Sequence, residues 1–462
     1  MRVLRHNSLL LLLVVLCLSW GCQRGPAVPD LASFGALDPA VASLLTEHLD
    51  AVRAAPGDAN RWGVLGLTLE ANGVTPAARD AYTTATTLEA AHGRWWYHLG
   101  RLRAREGDID GALAAFDHAT ERSPDYVPLR WRRGQLLLDR GDYAGAEAAF
   151  RVAANLAPDD ATAGTGLARV YLATGRADAA VAALEGLLER SPADRYAYQV
   201  LAAAYRAVGR TSDAEEAAAA GASGEPQDID PWLDEMASFR RGFAALLKEA
   251  TALGMAGQTP EAIAIVERLR AERPDDRELQ TYLGGLYATA GRTADAKPLL
   301  ARLLAANPED FDATMNLATA HLLDRAFDDA DAAVVRALQI RPADPDATRL
   351  RGVVAWRRQR LDDAERWLAA AAAANPTDAK ALAWIGSIRA ERGRARDAYA
   401  AYREALARDP LLVEALTGGA QAAFAAGAFD DAERWLKRAN RLAPGRDDMR
   451  VLAGRLDARR GR

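Results

Sequence analysis

The chain has 462 residues, a formal net charge of −5 and hydrophobic residues at 50% of its positions. Both signs of charge are interspersed along it, which excludes the basic footprint of a nucleic-acid binder. Its only cysteines are Cys17 and Cys22, so the body can form no internal disulfide and must be held by packing.

Residues 1–22 read as an export signal. Arg2 and Arg5 lead, Leu9 to Leu16 is an unbroken apolar run, and Ser19-Trp20-Gly21-Cys22 closes it. The run is too short for a membrane-spanning helix. Its ending resembles a bacterial lipoprotein signal, which implies lipidation of Cys22 as the new N-terminus. Gln23 in place of aspartate then implies the outer membrane, with the protein facing the periplasm. Ser19 and Trp20 depart from the residues that family prefers, which leaves secretion to the periplasm, or an uncleaved anchor, as alternatives. Residues 23–37, with Gly25, Pro26, Pro29 and Gly35, read as a tether. Residues 38–58 read as a capping helix with Asp38 as cap, Pro39 in the first turn, and a stripe of Val41, Leu45 and Val52. His48 is expected to pack beside that stripe.

From Ala59 onward one 34-residue pattern recurs. Copies begin at Ala59, Gly93, Val127, Ala161 and Arg195 in residues 59–228, and at Phe243, Arg277, Phe311, Pro345, Ala379 and Val413 in residues 243–446. The eighth position is always glycine or alanine. The twentieth is always alanine, from Ala78 to Ala432. The thirty-second is proline in every copy but the first, where Ala90 stands. Each copy predicts two short amphipathic helices that approach closely at the small residues, with a proline after the second. The spacing resembles the tetratricopeptide repeat. That resemblance implies an all-α fold, a right-handed superhelix (α-solenoid) of about eleven helix pairs with an N-terminal and a C-terminal capping helix. Such an array grows by stacking and has no single core to outgrow, so the length need not mean three globular domains.

In this family the first helix of each pair lines a concave groove. Carried onto this sequence, the groove positions are Tyr97, His98, Arg101 and Arg105 in the second copy and Trp131, Arg132 and Gln135 in the third. Arg169 follows from the fourth copy, and Tyr196, Gln199 and Arg206 from the fifth. Aromatic faces interleaved with guanidinium groups suit an extended peptide with acidic or aromatic side chains. The peptide-binding groove is therefore expected at Tyr97, Arg101, Trp131, Arg132, Arg169, Tyr196 and Arg206. Replacing Trp131 and Arg132 together is expected to abolish capture and leave melting unchanged.

Residues 229–242 interrupt the register. Asp230 can cap a helix that starts at Pro231, and Trp232, Met236 and Phe239 share one face, which must find a partner among its neighbours. Residues 447–462 read as a C-terminal capping helix with an apolar stripe of Met449, Val451, Leu452 and Leu456.

No zinc-protease, nucleotide-loop, haem-attachment or nucleophile-elbow motif is present. The Ala163-Gly164-Thr165-Gly166 run looks like a phosphate loop, but the register puts it inside a first helix. No catalytic residue, metal or cofactor is expected. The sequence points to an envelope-anchored scaffold that binds protein or peptide partners, without nucleic acid. The alternative is an accessory subunit in surface polysaccharide export, in pilus or secretion assembly, or in electron-transfer complex maturation.

Overall fold

A computed structural model describes residues 26–222, 224–226 and 228–460. The export signal and Cys22 lie outside the described residues. Within them every regular element is helical. First helices start at Ala59, Gly93, Val127, Ala161, Arg195, Phe243, Arg277, Phe311, Pro345, Ala379 and Val413, where the pattern begins its copies. A second helix follows in each, from Thr75–Leu88 to Phe429–Leu442.

Local chemistry sets these boundaries. Asp58, Asp160, Asp194, Asp276, Asp310, Asp344 and Asp378 each accept a backbone N–H at the start of a first helix. A cap of this kind contributes about 1 kcal/mol. Between the two helices of a copy the chain reverses through one left-handed residue. It is glycine in most copies, but Arg325 and Gln359 take φ of 62° and 61° in the eighth and ninth. The left-handed conformation costs a residue with a Cβ about 1–2 kcal/mol, so packing of the flanking helices overrides local preference there.

The twentieth-position alanines are buried, Ala78, Ala112 and Ala398 completely. The small eighth residue receives a large side chain from its own copy's second helix. A Cβ added at Gly66 would lie 2.6 Å from the Tyr82 ring, and one at Gly386 2.9 Å from Tyr402. The recurring small residues thus mark where paired helices touch.

The chain packs as two compact units. The first runs to Leu129 and takes in Asp230–Ala245. Its core holds Leu45, Leu49, Val52, Trp62, Leu65, Tyr82, Trp95 and Leu102. Asp38 caps the helix Pro39–Ala54 by accepting from Ala40 N. Residues 26–37 do not hang free as a tether. Val28, Leu31, Phe34 and Leu37 pack against this core, because apolar side chains among the prolines find apolar surface beside the capping helix.

The second unit comprises Arg130–Ile229 and Leu246–Arg462. One cluster centres on Leu184, Leu201 and Tyr205. A larger one runs from Leu382 and Tyr402 to Trp435 and is closed by Met449, Leu452 and Leu456 of the helix Asp447–Arg460. Val451 is 57% exposed and so lies off that covering stripe.

Charged side chains tie successive copies of this unit together. Arginine at the sixteenth position reaches back to an acid of the preceding copy: Arg176 to Glu147 at 2.6 Å, Arg210 to Glu185 at 3.1 Å, Arg292 to Glu267 at 3.2 Å and Arg360 to Asp331 at 2.9 Å. Three of them also cover a tyrosine ring, Arg176 on Tyr171, Arg210 on Tyr205 and Arg292 on Tyr287. Each pair is partly exposed and worth little alone, but repetition fixes the spacing between copies. Copies far apart in sequence also meet within this unit. Both carboxylate oxygens of Asp409 accept from Arg195 at 3.0 Å, and Arg438 pairs with Glu216. A cavity of about 440 Å³ lies beside that pair, lined by Glu185, Glu189 and Asp213 together with Arg434, Lys437 and Arg441.

Candidate functional site

In the first unit, the first helix of the second copy, Gly93–Arg105, carries Tyr97 and Arg101. The guanidinium of Arg101 lies 5.9 Å from the Tyr97 ring, so these two candidates are together. Neither is open wall. Tyr97 is fully buried and donates its hydroxyl to Asp230 of the inserted segment. Arg101 donates to Glu70 at 3.0 Å and keeps only 13% of its side chain exposed.

Glu70 is the centre of a buried polar cluster. Its carboxylate also accepts from the Tyr82 hydroxyl at 3.0 Å, and His98 Nδ1 stands 3.3 Å away. His98 is wholly buried and stacks on Tyr82, with ring centroids 5.2 Å apart. Burial pushes the His98 imidazole below its ordinary pKa against the pull of Glu70, so the ring is neutral. Burial alone would raise Glu70, but the bond from His98, the Arg101 charge and the Tyr82 hydroxyl outweigh it, and the carboxyl is held below its usual range.

The inserted segment lies over this same face. The helix Pro231–Ala237 is capped by Asp230, whose side chain accepts from Leu233 N. Asp230 is 1% exposed and accepts from Tyr126 Oη at 2.5 Å as well as from Tyr97. Trp232 stacks on Tyr126 with centroids 3.6 Å apart, and Arg94 stands 2.7 Å from Glu235. Asn72 grips the following backbone on both sides of its amide, donating to Phe239 O at 3.0 Å and accepting from Arg241 N at 2.8 Å. His48 packs edge-on against Phe239. Arg94 and Tyr97 occupy the second and fifth positions of their copy, where the groove was expected.

The second unit holds the other candidates. Trp131 is only 3% exposed, with the Arg132 guanidinium 4.4 Å over its ring. Arg132 also lies 3.8 Å from Asp228. The expectation that both could be replaced without loss of stability is therefore corrected, because a buried indole is part of the packing. Arg169 donates to Gln135 Oε1 at 2.5 Å, which joins the fourth copy to the third. Tyr196 and Arg206 share the helix Arg195–Ala207, Tyr196 half-buried and Arg206 exposed. Among the described residues neither Arg169 nor Arg206 is paired to a carboxylate, unlike the sixteenth-position arginines. Further along, Tyr282 donates to Ala250 O at 2.9 Å and Asn316 to Thr281 O at 3.2 Å, beside a cavity of about 300 Å³.

Ala163-Gly164-Thr165-Gly166 lies inside the helix Ala161–Ala173, so it forms no loop. Among the described residues no group of three or more histidine, cysteine, aspartate or glutamate side chains is placed to hold a metal. No described helix is long and apolar enough to cross a membrane.

Several solved structures are similar to the chain. Yeast Tom70 is 14% identical with a TM-score of 0.40, covering 87% of this chain and 96% of its own. TTC0263, a TPR protein of Thermus thermophilus, is 22% identical with a TM-score of 0.37, covering 40% and 100%. PilF of Pseudomonas aeruginosa is 14% identical with a TM-score of 0.39, covering 46% and 97%. No protein of curated function matches the chain in sequence. Two family profiles, each described as tetratricopeptide repeat, do match. One covers residues 103–170, 137–204 and 389–456, the other 64–127, 247–296, 286–345 and 327–379. Together with the paired helices and the buried small residues at their crossings, these matches place the chain in the tetratricopeptide repeat family.

Proposed function

We propose that this protein is a non-catalytic scaffold that holds acidic segments of partner proteins along the first helices of its second unit. A lipid on Cys22 anchors it to the outer membrane, where it faces the periplasm. Repeats of this family serve protein–protein interaction, which supports the class of function. The observation that carries the site is that, among the described residues, no carboxylate pairs with Arg169 or Arg206, while neighbouring arginines are committed to staples between copies. Arginine binds carboxylates through two parallel hydrogen bonds, and a row of such groups along successive helices selects an extended acidic chain.

Charge reversal tests this directly. The variant Arg169→Glu with Arg206→Glu should lose capture of its partner from solubilised envelopes by more than about tenfold, since like charges then face each other. Its helical content and melting should match the parent, because neither side chain is part of the core. Undiminished capture would remove these arginines from the binding face.

A further inference from the structure

Residues 230–241 do more than bridge a break in the repeat. They present an acid, a tryptophan and, three residues on, a second acid to a face that answers each group. Tyr97 and Tyr126 both direct hydroxyls at the Asp230 carboxylate. The Tyr126 ring stacks on Trp232, and the same hydroxyl accepts the Trp232 backbone N–H at 3.0 Å. Arg94 meets Glu235, and Asn72 holds the backbone that follows whatever its side chains. One feature distinguishes this from the packing of the repeat helices. The helix Pro231–Ala237 has only seven residues and contains no buried one, whereas the repeat helices around it bury several apolar side chains each.

We propose that this face is a receptor for a short acidic–aromatic helix, that residues 230–241 occupy it in cis, and that a partner protein's helix of the same chemistry displaces them. This rests on the scaffold reading above and extends it to a second face with its own specificity. The occupant must supply a carboxylate to the two tyrosine donors and an indole to the Tyr126 ring. Removing the carboxylate takes away the acceptor that both hydroxyls use, and removing the indole takes away the ring stacked on Tyr126, so a segment lacking the acid or the indole fits the face less well. Tethering gives the cis segment an effective concentration on the order of millimolar, which keeps the face closed to weak competitors.

The test uses the full chain and a labelled synthetic peptide covering residues 228–241. The variant Asp230→Ala with Trp232→Ala should bind the peptide at least about tenfold more tightly than the unmodified chain does. A peptide with the same two changes should not bind, and adding Tyr97→Phe and Tyr126→Phe to the variant should abolish binding. As a check independent of that variant's folding, excess peptide added to the unmodified chain should speed hydrogen exchange at 231–239 and not in the flanking repeat helices. The proposal is overturned if a folded variant fails to bind the peptide, or if exchange at 231–239 matches that of the repeat core and does not respond. A dimer formed by exchanging this segment between two copies would also overturn it, in favour of self-association. The Arg169 and Arg206 charge reversal reads the other unit, so either reading can fail while the other stands.

Discussion

Replacing Glu70 by alanine is expected to destabilise the first unit by about 3 kcal/mol, because it leaves the buried Tyr82 hydroxyl and the largely buried Arg101 guanidinium without their acceptor. Glu70→Gln should cost less, since it keeps an acceptor and removes only the charge. In a repeat array the loss stays near its source, so it should appear as faster hydrogen exchange in residues 59–122 before any shift in the second unit. The same cluster gives a sign to the pH dependence. The folded pKa of His98 lies below the unfolded value of 6.5, so the unfolded chain takes up the proton first on acidification. Stability from His98 is complete above 6.5 and falls as the pH drops through the folded value. Glu70 acts in the same direction below its unfolded value of 4.5. Acidification below pH 6.5 should therefore weaken the first unit, and His98→Phe should flatten the first part of that decline. A stability profile that rises on acidification would contradict this assignment.

Trp131→Ala should cost the packing around the third copy about 3–5 kcal/mol, in the range for emptying a buried aromatic site. Arg132→Ala should cost less than Trp131→Ala, since the guanidinium covers the indole from its partly exposed side whereas the ring itself is buried. Thermal melting of the two single variants separates them. Equal melting would mean that the Trp131 ring is not part of the core. The contrast matters for binding studies, because loss of capture in a Trp131 variant reports on folding before it reports on contact.

The sequence made the helix pairs readable because a close helix crossing tolerates only small residues, and glycine or alanine at the eighth and twentieth positions repeats that constraint in every copy. The groove was less legible. Tyr97 occupies a position that faces outward in an isolated repeat, and it is buried here by Asp230, which lies 133 residues further along the chain. No periodicity within the copies encodes that contact. The apolar face of Trp232, Met236 and Phe239 did announce that the insertion needed a partner, and Met236 and Phe239 pack on the first unit's core. The arginine staples do carry a sequence signal. Tyrosine at the eleventh position, arginine at the sixteenth and an acid at the twenty-first or twenty-fifth recur across the second unit, as in Tyr205, Arg210 and Glu185.

Site-specific photo-crosslinking in intact cells tests the scaffold reading most directly, with the reactive group placed either at Tyr196 on a first helix or at Val152, which is 40% exposed on the second helix Tyr143–Leu156. A discrete adduct to one partner protein from position 196, absent from position 152 and lost with Arg169→Glu and Arg206→Glu, is the predicted result. Equal adducts from both positions, or none from 196 in cells where the protein is folded and abundant, would contradict it.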